Sequence, residues 1–138
     1  MKRILLILSA VLIVCGMASA RKVYSLNECK TLYTMIKKHK VMTASDEAAI
    51  ISNARGLTAF LDYKVGEMLL AGPEKYEQMF IEVASTDEFK YLDTFIVYLR
   101  SCDRLGHING SNTTAYKELM EEYDKMEERG KPISEALR

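Results

Sequence analysis

The side chains that could do chemistry are few and scattered. His39 and His107 are the two histidines, far apart in the chain, and no Cys-x-x-Cys pair occurs. A metal centre needs clustered His, Cys or carboxylate ligands, and covalent haem needs Cys-x-x-Cys-His. Both histidines therefore read as solvated side chains, His39 at a helix end and His107 in a polar loop, and no cofactor is expected. Hydrolase chemistry fares no better. There is no Gly-x-Ser-x-Gly elbow and no glycine-rich phosphate loop. A secreted phospholipase would need a His-Asp pair inside a dense disulfide frame, which is also missing. Adjacent carboxylates do recur, at Asp87-Glu88, Glu121-Glu122 and Glu127-Glu128. A catalytic pair needs one carboxyl held in a cleft that raises its pKa. These lie among lysines and arginines and read as surface charge, so the chain is expected not to be an enzyme.

The cysteines point to a compartment rather than a reaction. Met1-Lys2-Arg3 is a basic start, residues 4–17 are uncharged and mostly apolar, and Ala18-Ser19-Ala20 supplies small residues. That is the three-part pattern of a cleavable secretory signal, here residues 1–20. The apolar run is short for a spanning helix, which takes about 20 residues. Val14 before Cys15 fits lipidation poorly. The mature chain, 21–138, is expected to be one helical domain, exported to the periplasm or the cell exterior, with no stable membrane insertion. It keeps Cys29 and Cys102, and an even pair in an exported protein reads as one disulfide. The bond would close a loop of about 73 residues, worth about 4 kcal/mol in the chain-entropy model.

Charge excludes two partner classes. The chain has 19 basic and 19 acidic residues, and the signal removes two of the basic ones. The mature charge is then 17 − 19 = −2. A nucleic-acid binder would show a basic excess, and attraction to anionic lipid by charge alone is also unfavourable. Asn109-Gly110-Ser111 and Asn112-Thr113-Thr114 match the N-glycosylation sequon. In a eukaryotic host, Asn109 and Asn112 would carry glycans on an exposed loop.

The elements that must position these groups read as helices throughout. Ser25-Leu26-Asn27-Glu28 has the capping-box pattern and opens helix 1, with Leu26, Cys29, Leu32, Tyr33 and Ile36 at helical spacing. Helix 2 is expected after Ser45 and runs to Ala71, stopped by Gly72-Pro73. It carries two apolar stripes, Ile50, Ala54, Leu57, Leu61, Val65, Met68 and Gly56, Ala59, Tyr63, Gly66, Leu70. Two stripes imply packing on two sides, Gly56 and Gly66 imply close contact or a bend, and Arg55, Thr58 and Asp62 mark the wet face. Helix 3 starts near Pro73. Helix 4 follows a second capping-box pattern, 85–88, and is apolar nearly all round, so it should be central. Helix 5 spans about 115–129 and is followed by a frayed tail. The fold class is all-α, a bundle of about five helices with one disulfide. Eight tyrosines and six methionines in the mature chain also suit a cavity for an apolar ligand.

One layout is familiar. Asn27-Glu28-Cys29-Lys30-Thr31-Leu32 precedes a glycine-bearing helix. Tyr98-Leu99-Arg100-Ser101-Cys102, a polar loop and a charged final helix then follow. This resembles the small periplasmic helical proteins of the HdeA type, acid-stress chaperones with one disulfide. It also resembles the immunity proteins that neutralise toxins of the type VI secretion system. The HdeA type is shorter, with no counterpart of 72–85, and the immunity family has further cysteines near its second helix. The resemblance implies a non-catalytic protein that binds an unidentified protein partner, as inhibitor or as stress chaperone. The competing expectation is a secreted carrier of a small apolar ligand or lipid.

Overall fold

The computed structural model describes residues 23–138; the signal segment and Cys15 lie outside the described residues. Among the described residues there are six α-helices and no strand. They are α1 (Leu26–Lys37), α2 (Ala44–Ala71), α3 (Tyr76–Ala84), α4 (Asp87–Arg104), α5 (Thr113–Arg129) and α6 (Lys131–Ala136). One-turn 3₁₀ segments lie at Pro73–Lys75 and Gly110–Asn112. The all-α bundle is as expected, with one helix more.

Helix starts follow the capping chemistry, with shifts of a residue or two. α2 begins earlier than expected because Thr43, not Ser45, is its cap. Thr43 Oγ1 accepts from the Asp46 N–H at 3.0 Å and Asp46 Oδ2 accepts from the Thr43 N–H at 3.2 Å. An aspartate closes this box in place of the usual Glu or Gln. α4 is capped by Thr86, whose Oγ1 accepts from Phe89 N–H at 3.2 Å. The expected box from Ser85 does not form, since the Ser85 hydroxyl donates back to the Ile81 carbonyl. α1 is capped by Ser25 as expected, but Glu28 does not return to the Ser25 N–H. Asn53 of α2 intervenes. Its Oδ1 accepts that N–H at 3.0 Å, and its Nδ2 donates to Glu28 Oε1 at 2.6 Å and to the Ala49 carbonyl at 2.8 Å. Asn53 is only 3% exposed, so this is a buried polar joint between two helices, and a buried amide must be paired in this way.

α2 is the spine. Its 28 residues span about 42 Å, and its neighbours pack along it. α1 runs antiparallel to it, with Ser25 opposite Asn53 and Tyr24 beside Phe60. α4 is also antiparallel, since Tyr98 senses Asp46 and Glu47 at the start of α2 while Phe89 lies with Leu61 and Val65. α5 is parallel, with Asn112 at Glu47, Glu122 at Arg55 and Arg129 at Asp62. The main core joins Cys29, Leu32, Ile50, Leu57, Leu92, Phe95, Leu99 and Leu119. A smaller core of Met68, Tyr76 and Ile133 closes the far end, and Val65 and Val83 touch both.

Four expectations are corrected here. Thr58 is buried, not wet, and its hydroxyl bonds the Ala54 carbonyl at 2.7 Å. Leu70 ends the second stripe 91% exposed, beyond the reach of any neighbour. Val97 is 59% exposed, so α4 is a flank and α2 holds the centre. The tail is helical, because Ile133 has a place in the second core.

α1 and α4 end in the same motif with different residues. Lys40 N–H reaches the Met35 carbonyl and His39 N–H the Ile36 carbonyl, while His107 N–H reaches Cys102 and Gly106 N–H reaches Asp103. This is the Schellman arrangement, whose left-handed position favours glycine. Gly106 has φ +74°, whereas His39 has φ +54°. A side chain in that region costs roughly 1–2 kcal/mol. His39→Gly should therefore raise stability by about 1 kcal/mol and Gly106→Ala lower it by a similar amount, read as opposite shifts of the urea midpoint.

Candidate functional site

The structure separates the two cysteines. Both are free thiols, which corrects the expected disulfide. Cys29 lies early in α1, where Glu88 acts on it and the Tyr24 hydroxyl donates to Glu88 at 3.0 Å. Tyr33 and Tyr91 meet one turn further on, with ring centroids 5.3 Å apart. α1 and α4 thus run parallel with their starts together, and Cys102 lies 14 residues along α4 from Glu88, about 21 Å away. A disulfide needs Cα atoms within about 7 Å. Burial pushes the Cys29 thiol up to about 11, helped by Glu28 and Glu88. Cys102 is half-buried beside Tyr98, whose hydroxyl is raised first by burial and then by a hydrogen bond with Cys102.

Asn112 is a structural residue. Its Nδ2 donates to Glu47 Oε1 at 2.9 Å and to the Ala44 carbonyl at 3.1 Å, and Glu47 Oε1 also accepts from the Asn109 N–H at 3.0 Å. Glu47 and Asn112 are both buried, so the start of α2 is latched to the loop before α5. The atom that would carry a glycan at Asn112 is already used twice. The expectation of two sequons on an exposed loop is thereby corrected at Asn112, while Asn109 is exposed. His39 and His107 are exposed and far from each other in use, one ending α1 and the other donating its N–H to the Cys102 carbonyl. Among the described residues no group of three His, Cys, Asp or Glu is placed to hold a metal ion, and no helix is long and apolar enough to cross a membrane.

Of several openings between the elements, none of them legible in the sequence, two are lined mainly by core and small side chains. The larger is a groove of about 720 Å³ between α2 and α5, walled at one end by Val23. Its floor is Ala48, Ser52, Gly56 and Ala59, and from Ala48 to Asp62 it follows α2 for about 21 Å. Gly56 serves the wall. A Cβ there would meet the Tyr24 backbone nitrogen at 3.1 Å and the Val23 carbonyl carbon at 3.2 Å, so the strand of chain entering α1 lies flat on α2. Over the groove, Arg55 Nη2 meets Glu122 Oε2 at 2.7 Å and Nη1 meets Glu118 at 3.4 Å. Arg129 pairs with Asp62. Of the residues read as a wet face, Arg55 and Asp62 thus form the rim of a groove, while Thr58 is buried beneath it.

The smaller opening is a cleft of about 380 Å³ at the seam of the two cores, lined by Leu61, Val65, Met68, Phe80, Val83, Phe89 and Ile133, with Asp93, Tyr123 and Glu127 beside them. Burial, then Glu127 and Asp93, pushes the Tyr123 hydroxyl up to about 12, against the opposing effect of Arg100. Of the carboxylate pairs, Glu122 and Glu127 therefore sit at the two openings. Asp87 is on the surface with Lys90 at 3.8 Å, and Glu121 and Glu128 are exposed.

No protein family, no curated protein and no solved structure matches the chain. The arrangement of the chain's own residues is what bears on its function.

Two outcomes follow from the thiols and phenols. In native protein a small alkylating reagent should modify Cys102 and spare Cys29, without prior reduction; two thiols blocked until reduction would show a disulfide. Tyr98, Tyr116 and Tyr123 all have raised pKa values, each chiefly through burial. The folded state holds these protons, and that of Cys29, more tightly than the unfolded state. Their contribution to stability is whole below the unfolded values, about 8.5 for Cys and about 10 for Tyr, and is lost as the pH rises through about 11 for Cys29 and about 12 for Tyr123. Tyrosinate absorbance should therefore rise in two phases, the later one coinciding with loss of helical circular dichroism.

Proposed function

We propose that this is an exported, non-catalytic protein that acts by holding a helix of another protein in the α2–α5 groove. The observation that carries the reading is the groove itself. Its floor is built of small side chains, Ala48, Ser52, Gly56 and Ala59, between Val23 and α5, and among the described residues nothing fills it. Small residues let a second backbone approach closely, and an amphipathic helix laid in a groove is a recurrent mode of peptide recognition. The rim supports the same reading. Its ion pairs are partly exposed, and such pairs are worth only about 0–1 kcal/mol. Arg55 holds Glu122 through two hydrogen bonds, and with Asp62 and Arg129 this pair gives the rim charges of both signs to face those of an incoming helix.

Export to the periplasm or cell exterior rests on residues 1–20, and the HdeA-type and immunity-protein resemblance rests on the order of motifs along the chain. A preformed groove favours the inhibitor or immunity version over a chaperone that must first unfold. A second reading, a carrier of a small apolar ligand, is favoured by the cleft at the seam of the two cores.

A photo-crosslinking side chain at Ser52, in the groove floor, should give one defined adduct in the exported fraction of the native host. The same probe at exposed Glu121 should not, and Ala48→Trp should abolish the Ser52 adduct. Equal labelling from both positions, or no adduct at all, would remove the groove as the interface.

A further inference from the structure

We propose that the cleft at the seam of the two cores binds an organic ammonium ion, a small molecule with an apolar body and a positive nitrogen. The proposal rests on the carrier reading and names its class of cargo.

Three features of the cleft point to that chemistry. The first is its interior. Val65, Met68 and Ile133 belong to or adjoin the second core, and they offer no hydrogen-bonding side chain. The volume, about 380 Å³, lies at the small end of the range of about 300–1,000 Å³ for small-molecule sites. Such a space takes a compact apolar body, not a lipid with long chains.

The second feature is aromatic. Phe80, Phe89 and Tyr123 all line the cleft. Phe80 and Phe89 meet edge to face, with centroids 6.3 Å apart at 84°. Ring faces attract cations through their quadrupole, and substituted ammonium groups are the ligands that aromatic-lined sites suit best. This protein already uses the interaction elsewhere, where Lys90 lies over Tyr33 and Tyr91.

The third feature is the sign of the mouth. Asp93 and Glu127 both line the cleft and both act on the Tyr123 hydroxyl. Among the described residues neither carboxylate is in an ion pair. Arg100 lies over the Tyr123 ring at 5.3 Å and is engaged by Asp124 at 3.2 Å, and Asp93 also borders a separate opening that holds Lys37 and Lys40. The residues that line the cleft itself include two carboxylates and no lysine or arginine. An anion or a carboxylate-bearing lipid would meet repulsion there, and a neutral body would leave the charge of the mouth unused.

Benzyltrimethylammonium is the probe, titrated into the exported protein and followed by the methyl resonances of Met68 and Met126, which both line the cleft. Neopentylbenzene, its neutral carbon isostere, and phenylacetate are run beside it. The expected result is saturable binding of the cation with shifts at both methionines, weaker binding of the isostere, and none of phenylacetate. Asp93→Asn with Glu127→Gln should weaken the cation about five- to tenfold. Both residues are exposed, and unchanged helical circular dichroism confirms that the variant folds. If the isostere binds as tightly as the cation, or the double variant binds it unchanged, the proposal falls while the carrier reading stands. If no probe binds, both fall.

Discussion

The length of α2 governs the rest of the structure. A helix of 28 residues is longer than any neighbour, and it is apolar along most of its circumference. No single helix can cover it, so α1, α4 and α5 share its first two thirds and the short α3 and α6 close its end. Hydrophobic burial alone does not set where each neighbour stops along the spine, because it is non-directional. Two buried polar joints do. Asn53 takes both groups that the start of α1 leaves over, and Glu47 takes the side chain of Asn112 and the N–H of Asn109. A buried polar group without its partner costs about 1–3 kcal/mol, so a slip of either neighbour by one turn is strongly penalised.

Both openings are consequences of the same constraint. Where α2 faces the gap between the chain entering α1 and the flank of α5, its side chains are small, and Gly56 is pressed by backbone on that side. α5 and the chain entering α1 stay apart over that flat face, and ion pairs from Arg55 and Asp62 of α2 to α5 line its edge. At the other end the neighbours change. α4 begins and α5 ends there, and two short helices with their own three-residue core complete the cover. Two packed units that share only Val65 and Val83 leave a cleft between them.

What was legible in the sequence was local. Caps, stops and the buried stripe Ile50, Ala54, Leu57, Leu61 and Met68 follow from hydrogen bonds and periodicity within a few residues, and they were read to within a residue or two. What depended on helix direction was not legible. Thr58 and Asp62 look wet on a helical wheel, and only the placement of α5 along that side makes one buried and the other a rim residue. Asn53 and Asn112 carry no periodic signal, since each is defined by partners 25 to 68 positions away. After the Gly-Lys-Pro break Ile133, Ala136 and Leu137 stand at helical spacing, but the run is too short to mark a helix. The groove and the cleft are spaces between elements, and no single segment encodes them.

The cysteines show how direction decides chemistry. Cys29 and Cys102 both fall on helices that pack together, and an antiparallel pair would have brought the start of one to the end of the other. The parallel pairing of α1 and α4 puts them about four turns apart along the bundle. A chain of this size can do without the bond, because it buries a core of its own; disulfides dominate in exported domains too small for that. Asn53 already fixes α1 on the spine, and Cys29 fills a site with no exposed surface at all, as a small apolar side chain would. Where a disulfide would tie helices together covalently, this chain holds them through a buried amide and a buried carboxylate, and the hydrogen bonds of both are lost when the helices part.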